Sequence, residues 1–352
     1  MRISLNTQSD LRSNAHYGYG KSFIEIQKAF RNYSYNGEKM FVDFNSPRTK
    51  VQMYYGPHPV HNSHYKHQYK IHMSQIESTK FENHKRDAYC AADEFWTASE
   101  WGRDAAINSG FDENKVFVYH HGIDPELYTP FLRGKNEKIR FLHIDSGSPR
   151  KRSDIVEDAF NILYKKNKNI QLTLKYSHSP HGKKSWLSEE TLANGGNWIR
   201  PGTRHINETL SHKEMVSLIN FHDVLVYPSE GEGFGMIPLE VLATGMPVIS
   251  THEWAPYANY FQDGHIESEL KPSTINWGYH KEGNATIAIF DSVLDKMQYF
   301  IDNIQELSVK HFNQVDKIKK EYSWQNKTNV FLDEAVSRIG IDTFSRAHGI
   351  MR

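Results

Sequence analysis

The chain has 352 residues, which suggests about two domains, and 38% of them are hydrophobic, enough to form a full core. Lysine plus arginine and aspartate plus glutamate both total 42, so a large electrostatic affinity for nucleic acid or an anionic membrane is not supported. The single cysteine, Cys90, excludes an internal disulfide and a cysteine-based zinc site, and the lack of an apolar run of about 18 residues favours a cytoplasmic protein without a transmembrane segment.

Short apolar runs in the first part of the chain alternate with helix-like stretches, which favours a parallel α/β domain. We predict strands at residues 2–5, 40–44, 70–73, 95–98 and 116–119. Helices are predicted at 22–31 and 102–110. The polar run 125–138 contains two prolines and is typical of a linker, so we assign residues 1–133 to the first domain.

A second alternation follows the linker and predicts another doubly wound α/β domain, which we assign to residues 134–325. Its predicted strands cover 139–144, 170–176, 198–199 and 224–227, and its predicted helices cover 154–164 and 213–220. The last part of the chain is typical of one or two amphipathic helices. We expect the segment 326–352 to pack back on the first domain.

The segment 230–247 places two carboxylates, Glu232 and Glu240, on either side of a glycine turn that leads from a strand into a short helix. Amide groups at such a helix start can bind an anion, most naturally a phosphate. The carboxylates suit sugars, because a carboxylate can accept hydrogen bonds from two vicinal hydroxyls at once. The alternative is that both acids are solvated charges near a helix N-terminus.

Three consecutive bases, Arg150, Lys151 and Arg152, lie between a predicted strand and a predicted helix. At the carboxyl end of a strand they could neutralise a diphosphate. A basic run is more often a solvated face, but this one falls at the same predicted sheet edge as the glycine turn. That coincidence favours a functional role.

Weaker signals occur in the first domain. The loop with Gly18 and Gly20 does not match the dinucleotide-binding glycine pattern, and an ordinary turn explains it equally well. Glu77, His120 and His121 follow predicted strands and are candidates for an acceptor-binding cleft, with surface positions as the alternative. Histidines recur every third residue at His58, His61, His64 and His67, which favours a polar surface loop over a metal site because period three is not helical.

Taken together, these segments resemble the retaining glycosyltransferases of the GT-B fold, family four. The resemblance rests on Glu232, the glycine turn and Glu240, with support from the segments 99–110, 121–130 and 149–151. It implies two Rossmann-like domains that face each other across a cleft, with the nucleotide-sugar donor held by the C-terminal domain.

The resemblance also implies roles for matching positions. Glu240 would bind the ribose hydroxyls, Glu232 the hydroxyls of the transferred sugar, and Lys151 with Arg150 the leaving diphosphate. Further donor contacts would come from Arg152 and from the turn after the first acid: Gly233, Phe234, Gly235, Met236 and Ile237. The arginine usual for the family falls near Ser146 and is missing here, so the share of each base in neutralising the diphosphate is open.

The expected activity is retaining transfer of a sugar from a nucleoside-diphosphate sugar, a UDP-sugar by expectation, to a hydroxyl of a saccharide or glycolipid. No Asp-x-Asp motif occurs, which indicates a metal-independent enzyme with the nucleotide sugar as co-substrate and no other cofactor. One alternative is a phage-type DNA glycosyltransferase that modifies 5-hydroxymethylpyrimidines, since aromatic residues at 54–70 could stack on a flipped base. A second alternative is an inactive nucleotide-sugar-binding module.

Overall fold

The computed structural model describes residues 1–7, 18–57, 68–81, 83–134, 137–145, 147–176, 197–273 and 282–344. The chain forms two compact units. Unit 1 consists of Met1–Gly122 and Glu321–Arg352, and unit 2 consists of Ile123–Lys320. The chain thus enters unit 2 at the start of the predicted linker, and its C-terminal segment belongs to unit 1. The domain limits of 133 and 325 stay predictions.

Unit 1 is built on a six-stranded parallel sheet with the strand order β4-β1-β5-β6-β7-β8. Its strands are β1 (Arg2–Asn6), β4 (Phe41–Phe44), β5 (Val51–Tyr55), β6 (Tyr69–Met73), β7 (Glu94–Thr97) and β8 (Val116–Val118), and the two-residue strands β2 (Ser34–Tyr35) and β3 (Glu38–Lys39) form a separate hairpin. Its helices are α1 (Gly18–Arg31), α2 (Asn83–Cys90), α3 (Glu100–Ile107) and, from the C-terminal segment, α9 (Trp324–Ile339).

Strand β5 lies in the middle of this sheet and is not among the strands predicted from the sequence. Every residue of β5 is buried, including the polar Gln52. The side chain of Gln52 accepts a hydrogen bond from Asn6 at 2.9 Å and donates to the carbonyls of Ser46 and Thr49. A strand buried on both faces shows no alternation of polar and apolar residues. A glutamine within it also interrupts the apolar run by which such a strand is recognised in sequence.

Unit 2 contains the second sheet, in the order β11-β12-β10-β9-β13-β14, parallel except for the antiparallel pair β11 and β12. Its strands are β9 (Ile139–Asp145), β10 (Ile170–Tyr176), β11 (Asn197–Arg200), β12 (Thr203–Ile206), β13 (Val224–Tyr227) and β14 (Val248–Ser250), with a separate hairpin of β15 (Ser268–Lys271) and β16 (Ala285–Ala288). Its helices are α4 (Ser153–Lys166), α5 (His212–Phe221), α6 (Met236–Leu242), α7 (Phe290–Phe312) and α8 (Val315–Glu321). The core packs α4 and α7 on the sheet through Phe160, Leu172, Val226 and Met297.

Helix α9 pairs with the sheet of unit 1 through an ion pair between the exposed Arg338 and the buried Glu94. Ser323 caps its N-terminus by accepting a hydrogen bond from the amide of Asn326. Near its C-terminus, Arg338 donates to both carboxylate oxygens of Glu94, at 2.8 and 3.1 Å, and Trp96 donates to the same carboxylate at 2.6 Å. The amphipathic C-terminal helix predicted from the sequence is present. Among the described residues, no helix is long and apolar enough to cross a membrane.

Candidate active site

Two adjacent strands of unit 2 bring the acidic and the basic motif together. Strand β9 leads into a short turn over Pro149–Lys151, and β13 leads into the segment that contains Glu232. Because β9 and β13 pair in parallel, the segments after them emerge at the same edge of the sheet. The amide of Glu230 donates to the carbonyl of Arg150 at 2.8 Å and joins the two segments directly.

Glu232 lies at the centre of a compact group of donors. It is 7% exposed, and its oxygen Oε1 accepts all four of the hydrogen bonds that the carboxylate makes within the described residues. Two donors are cations, Nη1 of Arg150 at 2.7 Å and Nζ of Lys151. The other two are neutral hydroxyls, Oη of Tyr227 at 2.9 Å and Oγ of Ser229 at 2.6 Å. These five residues are called the Glu232 cluster below.

Each cation also contacts one of the two hydroxyls. Nζ of Lys151 donates to Oη of Tyr227, and Nη1 of Arg150 lies 3.3 Å from Oγ of Ser229. Lysine and arginine only donate, so each hydroxyl accepts from a cation and is left with one proton to donate to Glu232. The cluster therefore contains two parallel paths of hydrogen bonds, each from a cation through a hydroxyl to the carboxylate.

The charges in the cluster keep Glu232 ionised. Burial alone would raise the pKa of Glu232, but the charges of Arg150 and Lys151, with hydrogen bonds from Lys151 and Ser229, lower it to about 2. Burial, and then the charge of Glu232, raises the pKa of Tyr227 well above its ordinary value, so the phenol keeps its proton. Two cations face one anion, and this surplus of positive charge suits an anionic ligand.

The third base, Arg152, has a carboxylate of its own. Its Nη1 lies 2.9 Å from Oε1 of Glu230. Glu230 is fully buried, and its other oxygen, Oε2, accepts a hydrogen bond from the hydroxyl of Ser273. Arg152 pairs as well with the exposed carboxylate of Asp154. The backbone of Arg152 has a φ of +56°, a conformation that costs a non-glycine residue about 1 kcal/mol. The ion pair with Glu230 therefore stabilises a turn that the local backbone disfavours.

Replacing Arg152 by alanine is expected to lower the free energy of unfolding more than Glu230→Gln does. Without the arginine, the buried carboxylate of Glu230 loses its counter-ion, which costs about 3–5 kcal/mol. Glutamine keeps the shape of the side chain and leaves Arg152 paired with Asp154. Urea unfolding measures the difference, with Asp154→Asn as the control, because an exposed pair contributes about 0–1 kcal/mol. A larger loss for Asp154→Asn than for Arg152→Ala would contradict this account.

The turn after Glu232 is closed by aromatic side chains. Phe234 is buried against Tyr257, with ring centroids 5.5 Å apart, and the hydroxyl of Tyr257 donates to the carbonyl of Gly235. Gly235 has a φ of +77°, and a Cβ at this position would lie 2.0 Å from the ring of Trp254. Only glycine fits this space without displacing the ring, so the start of α6 is held in one position.

The other predicted donor contacts lie on the same continuous stretch between β13 and β14. Gly233 is buried, while Met236 and Ile237 begin α6 and are half-buried. Glu240 lies further along α6 and is 7% exposed. The structure therefore brings the predicted donor residues of unit 2 to one edge of its sheet, and their roles in binding stay predictions.

The candidate acceptor residues all lie in unit 1. Gly18 is exposed at the start of α1, and Gly20 is buried two positions later. Glu77 is half-buried in the segment that follows β6. The two glycines thus begin a helix that the sequence analysis started at residue 22.

The two neighbouring histidines of unit 1 differ in environment. His120 is half-buried, with Nε2 at 2.9 Å from the exposed carboxylate of Glu100. His121 is fully buried, and its ring centroid lies 5.1 Å from that of Trp324. Burial, and then the neighbouring His120, lowers the pKa of His121 to about 3. The neutral, enclosed ring of His121 argues against direct contact with an acceptor.

Sequence reasoning overlooked three residues at the site, Tyr227, Ser229 and Glu230. Tyr227 was included only as the last residue of a predicted strand, and Glu230 only as the first residue of the segment 230–247. A usable signal was present, because hydrogen-bonding side chains cluster directly after a buried strand that points toward the motif. Which atoms they contact depends on the turn after β9, and that arrangement is visible only in three dimensions.

The described residues contain no group of three or more histidine, cysteine, aspartate or glutamate side chains that could hold a metal ion. The histidine series at His58, His61, His64 and His67 lies outside the described residues, as does Ser146. That the enzyme works without a metal ion stays a prediction.

Two α/β units with parallel sheets define the GT-B fold of glycosyltransferases. The same fold occurs in the crystal structure of Anabaena Alr3699/HepE in complex with UDP and glucose, with a TM-score of 0.65, 14% identity and coverage of 96% of this chain and 99% of that chain. Residues 129–274 match the family described as Glycosyl transferases group 1. This region contains the whole Glu232 cluster.

Two proteins that are named as glycosyltransferases are similar to this chain in sequence. Over 157 residues, 41% of this chain, the sequence is 26% identical to the D-inositol 3-phosphate glycosyltransferase of Paenarthrobacter aurescens (strain TC1). Over 229 residues, 60% of this chain, it is 25% identical to the Uncharacterized glycosyltransferase 335 of Sulfolobus islandicus rod-shaped virus 1. The matches span 36% and 64% of the lengths of these relatives, less than two thirds of each.

Proposed function

We propose that the chain is a retaining, metal-independent glycosyltransferase of family four, which transfers a sugar from a UDP-sugar to an acceptor hydroxyl. The observation that carries the proposal is the Glu232 cluster. It places two cations and a buried carboxylate at the carboxyl edge of the sheet, in the region that matches group 1 glycosyltransferases. The UDP and glucose complex of Anabaena Alr3699/HepE, which shares the fold, supports the choice of donor.

The proposed roles follow from charge and hydrogen bonding. Arg150 and Lys151 neutralise the diphosphate as negative charge develops on the leaving group, which is where electrostatic stabilisation lowers a barrier most. Glu232 accepts hydrogen bonds from hydroxyls of the transferred sugar, and Glu240 accepts them from the ribose. In the retaining reaction the departing phosphate takes the proton of the acceptor hydroxyl on the same face of the sugar. Apart from the nucleotide-sugar co-substrate, the proposal includes no cofactor.

The proposed acceptor is a saccharide or glycolipid. The decisive experiment incubates the intact protein with a panel of labelled nucleotide sugars, with glycan, glycolipid and hydroxymethylcytosine-DNA acceptors in parallel. Transfer from a UDP-sugar with the anomeric configuration kept, unaffected by a chelator, is the expected result. An inverted product contradicts retention, and transfer to DNA alone selects the phage-type alternative. UDP binding without transfer or donor hydrolysis selects the inactive binding module.

Replacing Lys151 by alanine is expected to weaken UDP binding by about tenfold or more, the value of one hydrogen bond between charged groups. The salt dependence should also flatten, because a contact between opposite charges weakens as ionic strength rises. Calorimetric titration with UDP at low and moderate salt measures both effects. The exposed Lys271 in the same unit is the control, and Lys271→Ala should bind UDP like the parent. Unchanged binding by Lys151→Ala would remove this lysine from the donor site.

A further inference from the structure

The hydrogen bonds to Glu232 are unevenly distributed. Within the described residues, Oε1 accepts from four donors and Oε2 accepts from none. A carboxylate offers about two lone-pair directions on each oxygen, so four donors exceed what Oε1 can satisfy at full strength. Two of the four donors can therefore move away, and the other two still satisfy Oε1.

The four donors differ in what else they can bind. Arg150 and Lys151 extend from the short turn after β9, and both are cations for which a diphosphate is a stronger partner than a shared carboxylate oxygen. Tyr227 and Ser229 carry neutral hydroxyls, each with one proton that the present contacts direct to Glu232. An incoming diphosphate thus competes for the cations far more than for the hydroxyls.

The residues that carry the two hydroxyls also have contacts outside the basic turn. Tyr227 is the last residue of β13, and its buried ring contacts His143 and Trp254 with centroid distances of 6.3 Å to each. Ser229 is fully buried, and its carbonyl accepts from the hydroxyl of Thr251 at 2.6 Å. These contacts do not involve the basic turn, so they can persist when its side chains move.

We propose that Tyr227 and Ser229 are positioning residues for Glu232. Their hydroxyls hold Oε1 of Glu232 when Arg150 and Lys151 turn to the donor diphosphate. The carboxylate then stays oriented, with Oε2 available to a hydroxyl of the transferred sugar. The proposal rests on the proposed function and adds to it a division of labour. The cations serve the diphosphate, and the hydroxyls serve the carboxylate.

Ser229 has a weaker second contact that does not change this division. Its Oγ lies 3.2 Å from the carbonyl of Gly231 but 2.6 Å from Oε1 of Glu232, so its proton favours the shorter, charged partner. Tyr227 accepts from Lys151 and donates to Glu232. When Lys151 moves away, the hydroxyl of Tyr227 no longer accepts a hydrogen bond from Lys151. It still donates its own hydrogen bond to Glu232.

The test compares Tyr227→Phe and Ser229→Ala with the parent protein in donor turnover and in UDP binding. Each variant is expected to lower kcat by about tenfold to hundredfold, the value of one hydrogen bond to a charged group. The affinity for UDP should stay within about threefold, a difference of less than 1 kcal/mol, because the cations remain. The double variant should lose more than the product of the single losses, since Oε1 then has no hydroxyl donor.

The split between turnover and binding distinguishes positioning from general support of the loop. A loop that has merely shifted would lose UDP affinity together with kcat, and that result would overturn the proposal. A kcat within twofold of the parent in both single variants would overturn it as well. Tyr260→Phe is the control, because Tyr260 is a buried tyrosine of the same unit that is not a member of the Glu232 cluster, and both readouts should match the parent.

Failure of the proposed function is recognised separately. If the parent protein neither transfers sugar nor hydrolyses any donor, the glycosyltransferase activity is wrong, whatever the variants do. The UDP titration does not require turnover. In that case a parallel loss of UDP affinity in Tyr227→Phe and Ser229→Ala still overturns the positioning role, and unchanged affinity supports the assignment of the diphosphate to Arg150 and Lys151.

Discussion

Replacing Glu232 by glutamine is expected to lower kcat for sugar transfer by about 10²–10³-fold, the usual effect of removing one well-placed electrostatic contact at a reacting centre. The amide is neutral and has two orientations. In one of them its NH₂ group faces Arg150 and Lys151, which only donate, and in the other the NH₂ group replaces Oε2, the oxygen proposed to bind the sugar. Initial rates at saturating donor measure the loss.

The same substitution should change how stability depends on pH. The pKa of Glu232 is lowered from its ordinary value of 4.5 to about 2, so its ionised form contributes stability above pH 4.5 that is lost as the pH falls toward 2. A shift of this size corresponds to about 3 kcal/mol. Glu232→Gln should therefore be less stable than the parent at neutral pH and lose less stability between pH 4.5 and 2. Denaturant unfolding at several pH values measures both slopes.

A matched acid provides the control. Glu269 lies exposed on β15 of the same unit, and Glu269→Gln should leave kcat within about twofold and the pH profile of stability unchanged, as expected for an exposed charge. If Glu232→Gln kept kcat within tenfold of the parent, its assigned role in transfer would be wrong. If Glu232→Gln lost kcat as expected but its stability depended on pH as in the parent, the ion pairs of Glu232 with Arg150 and Lys151 would not persist in solution.

The comparison of sequence and structure shows where pattern reasoning works in this chain. The prediction of parallel α/β units is confirmed, because alternating apolar runs and amphipathic stretches depend on burial that each segment shows locally. Strand β5 was missed because Gln52 satisfies its amide inside the sheet. Such a residue reads as polar in sequence, although its environment is the core.

The site shows a second limit. From the sequence, the diphosphate was assigned to Lys151 with Arg150 and a further donor contact to Arg152, and the share of each base was open. The structure separates them by their acids, since Arg152 pairs with Glu230 while the first two bases pair with Glu232. This sorting arises from the left-handed backbone of Arg152 at the end of the turn, which no local pattern of charge indicates.

Replacing Gly235 by alanine is expected to be far more damaging than replacing Gly147, although both glycines have nearly the same backbone conformation. Their φ angles are +77° and +82°, so an alanine meets the same penalty of about 1–2 kcal/mol at either position. A Cβ at Gly147 has no atom of the described residues within 4 Å, whereas one at Gly235 lies 2.0 Å from Trp254 and 2.7 Å from the hydroxyl of Tyr257.

The overlap at Gly235 must be relieved by moving a buried indole or the turn itself. Overpacking of this kind adds about 1–3 kcal/mol, so we expect a total loss of about 2–5 kcal/mol for Gly235→Ala against about 1–2 kcal/mol for Gly147→Ala. For a unit of this size the melting temperature should fall by about 2–4 °C per kcal/mol. Calorimetry measures the stability of both variants, and the backbone penalty, which is the same in each, cancels when one loss is subtracted from the other.

The remaining difference between the two variants isolates the aromatic packing of Trp254 and Tyr257 over the turn after Glu232. If that packing positions the amides that follow Glu232, UDP affinity should fall in Gly235→Ala at temperatures where it is still folded, and stay unchanged in Gly147→Ala. Equal losses of stability would show that the indole moves aside at little cost. In that case the turn would not be held rigidly, and its amides would have to be ordered by the donor itself.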